Sequence, residues 1–341
     1  MNRGWTDDGK IWEKETDNCN APGDADIQDF YTNYNRKGLT YLEQHLDLQK
    51  YLSYRCILEA VHHYDVYAEK NYYYFHNADT GLWEVFPWDL DLTFGSDHGN
   101  GQEPFRDFVV GDISSRTPRD GKYAKEFRNR LREIVQLLYN EEVLFPILDQ
   151  RYALIAEIAA ADLDRWDLFQ PPDRRDAYGR YKPLDQRLAQ MKDWIRQRIH
   201  TTYNDNGNDG IHYILALEKM AEDAGIPETP MISASPMNVY QPKGKATFVA
   251  SPFKDPQNDT HLASRWMATE SGQLEVEPNW DSGETQEFRN QLTLDLHLFQ
   301  PGKTYRLRVK YLDATGRWSY WSAPLEFIMD KDTAVLDWGV R

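Results

Sequence analysis

Asp89 and Asp91 stand two positions apart after a stretch that is rich in aromatic residues. Residues 72–75 and 83–86 have the composition of two strands, and turn-forming residues at 77–81 separate them. Alternation along an extended segment puts the two carboxylates on the same side of the chain. Carboxylate oxygens are ligands that Mg²⁺ prefers, and a bound ion can hold phosphates. The pattern predicts a β-hairpin that ends in a divalent-metal site.

Two further polar residues, Asp65 and Asn71, come before the hairpin. An Asp, an Asn six residues later, a hairpin and a further Asp at its end form the layout of a kinase-type catalytic centre. In such a centre the first Asp accepts the proton of the substrate hydroxyl, and the Asn and the last Asp bind metal. The His-Arg-Asp and Asp-Phe-Gly sequences of ordinary protein kinases do not occur in this chain. Each acid alone is typical of a turn cap or a solvated loop, so the prediction depends on the whole set.

Three segments around the hairpin carry a resemblance to a known family. They are residues 71–75 (NYYYF), residues 80–83 (TGLW) and residues 87–95 (PWDLDLTFG). Together they resemble the core signature of the spore coat protein H (CotH) kinase family, and a weaker likeness extends over residues 40–203. The family is similar to atypical protein kinases, uses ATP with a divalent metal, and phosphorylates secreted or coat proteins. The third segment is the most specific, because it combines several uncommon residues.

The resemblance implies a role for each polar residue around the hairpin. Asp65 falls at the position of the family's catalytic Asp, and Asn71 falls at a metal-ligand position. The metal-binding Asp corresponds to Asp89 or Asp91, and both stay candidates. By resemblance, Asn71, Asp89 and Asp91 would hold Mg²⁺ or Mn²⁺ together with ATP. The implied reaction is transfer of the ATP γ-phosphoryl group to Ser or Thr of a secreted or surface protein.

The segment before Asp65 lacks features that a kinase normally has there. Its 64 residues contain no Gly-rich loop and no clear strand with a phosphate-binding Lys, so Lys37 and Lys50 are candidates only by elimination. We therefore expect the N-terminal lobe to be missing and this stretch alone to be a weak or inactive kinase. The alternative is a non-catalytic surface or scaffold protein with a structural divalent-metal site and an adhesion-type β module.

The overall composition limits the partners. The chain has 341 residues, enough for two domains, and a net charge of −16, which argues against nucleic acid and anionic membranes. No apolar run reaches the roughly 18 residues of a membrane span. No signal peptide is visible, and the resemblance implies a bacterial, secreted or surface protein that acts on a protein substrate. Of the two cysteines, Cys19 and Cys56, the second lies in an apolar helical pattern and is predicted to be an inert core thiol.

Helical periodicity dominates the first two thirds of the chain. No helical period is evident over residues 1–36, and a Thr-x-x-Glu capping box predicts the first helix from Thr40, with a break near Asp47. That region ends at His62 and His63, which are predicted to be core or surface histidines rather than metal ligands.

Three more helices follow, and they support a helical kinase-like lobe. They are predicted at residues 125–139, at 142–163 with a break or kink near Pro146, and at 183–200 with Arg187, Arg196 and Arg198 on a solvated face. Residues 96–121, which lie before these helices, lack periodicity and are predicted to form a long loop.

From about residue 227 the pattern changes to short alternating segments. Strands are predicted at 246–250, 263–268, 291–296 and 304–311. Residues 316–324 resemble the Trp-Ser-x-Trp-Ser segment of fibronectin type III domains. That segment forms a ladder of indoles and cations, so Trp318 and Trp321 are predicted to stack on Arg306 or Arg308.

The sequence as a whole predicts an α+β chain. A mostly helical kinase-like C-lobe with a catalytic β-hairpin is expected over residues 1–203. A linker with a short helix is expected over 204–227, a fibronectin III-like β-sandwich over 228–330, and a tail over 331–341.

Overall fold

The computed structural model describes residues 23–37, 39–63, 71–94, 123–166, 184–205, 212–233, 239–240 and 244–331. The chain is a mixed α+β protein with two compact units. The helical unit comprises Met1–Val135 and Tyr139–Glu222, and the β unit comprises Gln136–Leu138 and Asp223–Arg341. The main division, after Glu222, falls inside the predicted linker.

The helical unit contains seven helices and two short hairpins among the described residues. The helices are α1 Ala25–Lys37, α2 Leu39–His45, α3 Leu48–Val61, α4 Ala124–Leu137, α5 Glu141–Trp166, α6 Leu184–His200 and α7 Leu217–Met220. The hairpins pair β1 Tyr72–His76 with β2 Trp83–Pro87, and β3 Tyr203–Asp205 with β4 His212–Ile214. None of the helices in the described part of the chain combines the length and apolar character that crossing a membrane requires.

The predicted break between α2 and α3 is confirmed at Asp47. The Asp47 side chain accepts a hydrogen bond of 3.0 Å from the Lys50 amide and so caps α3. At its other end α3 stops at His62, which has a left-handed φ of 50° and donates its amide to the Glu59 carbonyl at 3.3 Å. The chain therefore turns sharply just before the segment that carries Asp65, which lies outside the described residues.

Helix α1 was not predicted, so the expectation that the first helix starts near Thr40 is wrong. Ile27 and Phe30, one turn apart in α1, are fully buried. The Phe30 ring lies 4.9 Å from that of Trp83 in the hairpin. Two apolar anchors are too few to give a clear helical period, yet they suffice because tertiary packing on the hairpin stabilises the helix.

The predicted catalytic hairpin forms with antiparallel strands, and Tyr74 lies opposite Val85. Gly81 donates its amide to the Asn77 carbonyl at 2.8 Å and has a φ of 70°, which glycine adopts without a steric penalty. One face of the hairpin is buried in a core cluster with α1, α2 and α3 through Tyr72, Tyr74, Trp83 and Val85. The hairpin is therefore held firmly by the helices that precede it.

The later helices agree with their predicted positions, with two differences. Helix α5 runs through Pro146 without a break, and α7, the short helix expected in the linker, belongs to the helical unit. A second core cluster joins α3, α4, α6 and α7 through Leu52, Cys56, Phe127, Leu131, Ile195 and Leu217. The short helix expected in the linker thus contributes to the helical core.

In its described residues the β unit contains two sheets that share one hydrophobic cluster. Its strands are β5 Ile232–Ser233, β6 Val239–Tyr240, β7 Lys245–Ala250, β8 His261–Glu270, β9 Trp280–Asp281, β10 Gln291–Asp295, β11 Thr304–Asp313 and β12 Leu325–Met329. One sheet has the order β10-β7-β5 and the other has the order β6-β12-β11-β8-β9. Phe248 and Leu292 of the smaller sheet pack in the same cluster as Trp266, Leu307 and Phe327 of the larger sheet.

The stacking prediction for the tryptophans is wrong about the cation. The Lys310 ammonium lies 4.6 Å from the Trp318 ring and 4.7 Å from the Trp321 ring. Arg306 and Arg308 form ion pairs with Glu275 instead. The register of the tryptophan segment beside β11 explains why the cation is Lys310.

The tryptophan segment runs beside the second half of β11. Leu312 bridges to Trp318, and the amide of Ser322 donates to the carbonyl of Val309 at 2.8 Å. Lys310 therefore lies between the two indoles, whereas Arg306 and Arg308 come earlier in the strand. Trp321 is only 1% exposed.

Candidate active site

The two acids after the hairpin lie in a turn and not in an extended segment. Strand β2 ends at Pro87, and Asp89 has a left-handed φ of 52°. The alternation argument is therefore wrong, because residues 88–94 fold back after the strand. Asp89 and Asp91 are nevertheless both exposed, so both carboxylates are accessible to a ligand from solvent.

Three hydrogen bonds to two other parts of the chain hold this acidic loop, residues 88–94. The Trp88 amide donates to the Asn71 carbonyl at 3.0 Å, just before β1. The His63 imidazole donates from Nε2 to the Asp89 carbonyl at 3.0 Å, and the Phe94 amide donates to the carbonyl of Val61 at 2.7 Å. The end of α3, the start of β1 and the acidic loop therefore meet at one place.

Left-handed backbone is concentrated at this meeting point. His62, Asn71, Asp89 and Phe94 have φ values of 50°, 65°, 52° and 51°. They are four of the five described non-glycine residues with positive φ. Such conformations cost free energy and persist only where the surrounding structure enforces them, and they cluster at functional sites. The observation supports a functional role for the loop and could not be derived from the sequence.

The structure places Asn71, Asp89 and Asp91 in the same neighbourhood, while Asp65 lies outside the described residues. Asn71 is buried at 6% exposure, so its amide is held in place, whereas the two carboxylates extend into solvent. Amide and carboxylate oxygens are hard donors of the kind that Mg²⁺ or Mn²⁺ accepts. The donor chemistry is therefore compatible with the ion that the sequence predicts.

A buried arginine fixes the end of α3. Arg198 of α6 is fully buried, donates to the carbonyls of Glu59 at 3.0 Å and of Leu215, and lies 3.8 Å from the Glu59 carboxylate. The expectation that Arg198 belongs to a solvated face is wrong. Its position relative to the buried Ile195 and Ile199 was the available signal, because residues three or four apart share a helix face. Arg198 thus positions the helix end that leads to His63.

Lys50, one of the two candidates for a phosphate-binding lysine, has a partner within the fold. Its ammonium donates to the Glu84 carboxylate at 2.7 Å, and the Asn77 amide donates to the same oxygen at 2.9 Å. These hydrogen bonds lower the pKa of Glu84, and the bond to Glu84 raises the pKa of Lys50. Lys50 therefore joins α3 to the hairpin. The side chain of Lys37 lies outside the described part of the chain.

A cavity of about 370 Å³ lies between α3 and the acidic loop. It is lined by Ser53, Tyr54, Ile57, Leu58, Val61, Pro87, Leu90, Thr93 and Phe94. Asp89 and Asp91 are not among the lining residues. The loop therefore has an apolar side that faces the cavity, and its two carboxylates are separate from that side.

The prediction for Cys56 is confirmed. Cys56 is fully buried, its thiol contacts the Phe127 carbonyl at 3.6 Å, and burial raises the pKa of the thiol. A buried thiol with a raised pKa is a poor nucleophile, so this cysteine has a packing role. Cys19 and the loop predicted at 96–121 lie outside the described residues.

A comparison with known protein sequences agrees with the family resemblance. The chain is 28% identical to the inner spore coat protein H of Bacillus subtilis (strain 168) over 123 residues, which are 35% of this chain and 33% of that protein. The match thus spans about a third of the relative's length. A solved structure described as "Myokine structure" has 13% identity and a TM-score of 0.22, and covers 31% of this chain and 99% of its own.

The family comparison covers more of the chain than either of these. The family model described as CotH kinase protein matches residues 3–201 of the 341 residues, which is more than half of the chain. The matched segment includes α1 to α6, the hairpin and the acidic loop with its neighbours Asn71 and His63. The chain belongs to the CotH kinase protein family.

Proposed function

We propose that the helical unit transfers the γ-phosphoryl group of ATP to a Ser or Thr hydroxyl of a secreted or surface protein. The observation that carries the proposal is the acidic loop. Its Asp89 is fixed by His63 and its Trp88 is fixed by Asn71, within the segment that the family model matches. The name of the relative, an inner spore coat protein, supports a protein substrate at a cell or spore surface.

In the proposed reaction, each polar residue has one task. Asp65 orients the substrate hydroxyl and accepts its proton as the hydroxyl oxygen bonds to the γ-phosphorus. The bond from that phosphorus to the bridging oxygen breaks, and ADP leaves. When bound, Mg²⁺ or Mn²⁺ neutralises charge on the phosphate oxygens. Asn71 and Asp89 or Asp91 would hold the ion.

The supporting structure explains why these residues suit that task. Burial of Asn71 and the left-handed backbone at Asn71 and Asp89 constrain the main chain at both residues before a ligand arrives. Phosphoryl transfer depends on positioning and electrostatic stabilisation, so donors that are held in advance contribute most. Exposure of Asp89 and Asp91 leaves the carboxylates open to an incoming nucleotide.

We also propose that the β unit is a fibronectin III-like sandwich that serves as an adhesion or substrate-binding module. Two sheets around one cluster and the Trp318–Lys310–Trp321 stack support this assignment. Such a module would suit a protein that is located at a cell surface.

The catalytic proposal is tested by phosphate incorporation from γ-labelled ATP with Mg²⁺ or Mn²⁺, with the chain itself as acceptor. We expect slow incorporation that falls about 100-fold in Asp65→Asn, because general-base catalysis contributes at least that factor. Asp79→Asn is the matched control, because Asp79 is an exposed acid in the hairpin turn, away from the acidic loop.

Two results would contradict the proposal. Equal incorporation by the Asp65→Asn chain and the wild type would remove Asp65 from the mechanism. Absence of incorporation by a wild-type chain that binds ATP and metal would favour the non-catalytic scaffold, in which the acidic loop holds a structural ion.

A further inference from the structure

A second acidic cluster lies in the β unit. It consists of Asp255 and Asp259, in the loop between β7 and β8, and Asp313, the last residue of β11. One carboxylate oxygen from each lies within 4.8 Å of the other two. Asp255 and Asp259 are half-buried, and Asp313 is fully buried.

One carboxylate oxygen of Asp313 accepts several hydrogen bonds, and the other accepts none from the described residues. Its Oδ1 accepts from the Thr315 amide at 2.8 Å, the Thr315 hydroxyl at 2.7 Å and the Arg317 amide at 2.9 Å. Its Oδ2 is buried and has no hydrogen-bond donor among the described residues. The turn therefore fixes this carboxylate and leaves one oxygen available within the cluster.

Asp255 repeats the same arrangement. Its Oδ1 accepts from the amides of Gln257 at 2.8 Å and Asp259 at 3.0 Å. In the described part of the chain no group donates to its Oδ2, which is also buried. Two buried oxygens without donors thus belong to carboxylates of one cluster.

Such a cluster is costly unless a cation balances it. Buried carboxylates in proteins are paired or bind metal, because desolvation penalises an isolated charge. The neighbouring Arg317 donates its guanidinium to Asp223 at 3.1 Å and to the hydroxyl of Thr315 at 2.6 Å. Its charge is therefore committed to a different carboxylate.

We propose that Asp255, Asp259 and Asp313 form a Ca²⁺ site. Two oxygens that each lie about 2.4 Å from one Ca²⁺ can be at most about 4.8 Å apart, so the spacing of the three carboxylates allows a shared ion. Ca²⁺ accepts six to eight oxygen ligands in irregular geometry, with water filling the remaining positions. Ligands from two separate segments suit Ca²⁺ better than they suit Mg²⁺, which requires a near-ideal octahedron.

The ion would join two segments at one end of the β unit. The loop from 251 to 260 and the turn after β11 already meet through the Ala314 amide, which donates to the Thr260 carbonyl at 2.9 Å. A bound ion would add three carboxylate contacts and would stabilise the folded unit by mass action. The proposal does not depend on the kinase function, because none of its ligands belongs to the acidic loop.

Calorimetric titration of the full chain with CaCl₂, after removal of metal and without nucleotide, tests the site. All chains carry Asp89→Asn and Asp91→Asn, so that the acidic loop contributes little to the signal. We expect Asp255→Asn or Asp259→Asn to raise the dissociation constant at least tenfold. Glu326→Gln, which removes an exposed charge from β12, should leave it unchanged.

Thermal unfolding of the same chains separates loss of binding from misfolding. Ca²⁺ should raise the midpoint of the parent chain and not that of the Asp259→Asn chain. Without Ca²⁺ the Asp259→Asn chain should unfold at the same temperature as the parent or higher, since a repulsive charge has been removed. Absence of heat and of a midpoint shift in the parent chain would overturn the proposal. An equal response to Mg²⁺ at the same concentration would overturn the assignment to Ca²⁺.

Discussion

The helical unit and the β unit both have left-handed backbone beside carboxylates, but they hold those carboxylates differently. In the helical unit His62, Asn71, Asp89 and Phe94 surround an acidic loop whose side chains are exposed. In the β unit the corresponding residue is Asn258, which lies between two acids that meet a fully buried third acid. An exposed site can exchange a phosphate-bearing ligand, whereas a buried one retains its ion. The difference is the one that the two proposed roles require, catalysis in the helical unit and stabilisation in the β unit.

One buried cation from each unit, Arg198 and Lys310, illustrates the same difference. Arg198 of the helical unit donates to backbone carbonyls at the end of α3. Lys310 of the β unit lies between the rings of Trp318 and Trp321. The first cation fixes a chain end that leads to the acidic loop, and the second joins side chains within the module.

The largest effect is expected for Arg198→Met. Removing a fully buried guanidinium leaves the carboxylate of Glu59 with less compensation, so the free energy of unfolding of the helical unit should fall by about 3–5 kcal/mol. Urea unfolding followed by circular dichroism measures this change. Arg196→Met, in which an exposed arginine of the same helix loses its surface pairs with Glu141 and Asp193, should have a much smaller effect. Equal losses of stability in Arg198→Met and Arg196→Met would contradict the role of Arg198 in positioning the end of α3.

A medium effect is expected for Lys310→Met in the β unit. The substitution keeps the apolar stem and removes a desolvated ammonium from two indoles, which should lower the free energy of unfolding by about 1–2 kcal/mol. A double-mutant cycle with Trp318→Leu isolates the pair. A coupling energy near zero would show that the side-chain stack does not stabilise the β unit.

A smaller effect is expected for His63→Phe, which keeps a ring of similar size and loses the donor to the Asp89 carbonyl. One hydrogen bond contributes about 1 kcal/mol, so the dissociation constant for ATP with metal should rise about fivefold. The control is His76→Phe, because His76 stacks on Trp83 on the hairpin, away from the acidic loop. Unchanged affinity in His63→Phe would mean that the histidine does not position the loop.

The smallest effect on stability is expected from protonation of Glu84. Hydrogen bonds from Lys50 and Asn77 lower the pKa of Glu84 below its ordinary value of 4.5, so the folded state binds the proton less tightly than the unfolded state. The stabilisation is therefore present above that value and is lost as the pH falls below it. The difference in melting temperature between wild type and Glu84→Gln should shrink on acidification. A difference in melting temperature that grows on acidification would contradict the lowered pKa of Glu84.

Local patterns predicted the hairpin, and tertiary contacts determined the acidic loop. The turn around Asn77 and Gly81 and the aromatic strands are short-range signals, so both strands were found nearly to the residue. The left-handed conformation of Asp89 depends on a bond from His63, which is distant in sequence. No local pattern carries that information.

The same distinction applies to the β unit. The alternating patterns located β7, β8, β10 and β11, whereas β12 and the very short strands β5, β6 and β9 were missed. The partner of the tryptophans depended on the register of residues 318–322 beside β11, which sequence spacing does not fix. Asp255, Asp259 and Asp313 were missed for the same reason, since two segments that lie far apart in sequence bring them together.

The measurement that tests the central claim most directly is calorimetric binding of ATP with Mg²⁺ or Mn²⁺ to the full chain. We expect Asp89→Asn or Asp91→Asn to weaken metal-dependent ATP binding at least tenfold, because one proposed carboxylate ligand is lost. Asp79→Asn should bind as the wild type does. Binding that is unchanged in both Asp89→Asn and Asp91→Asn would contradict the assignment of the acidic loop as the metal and nucleotide site.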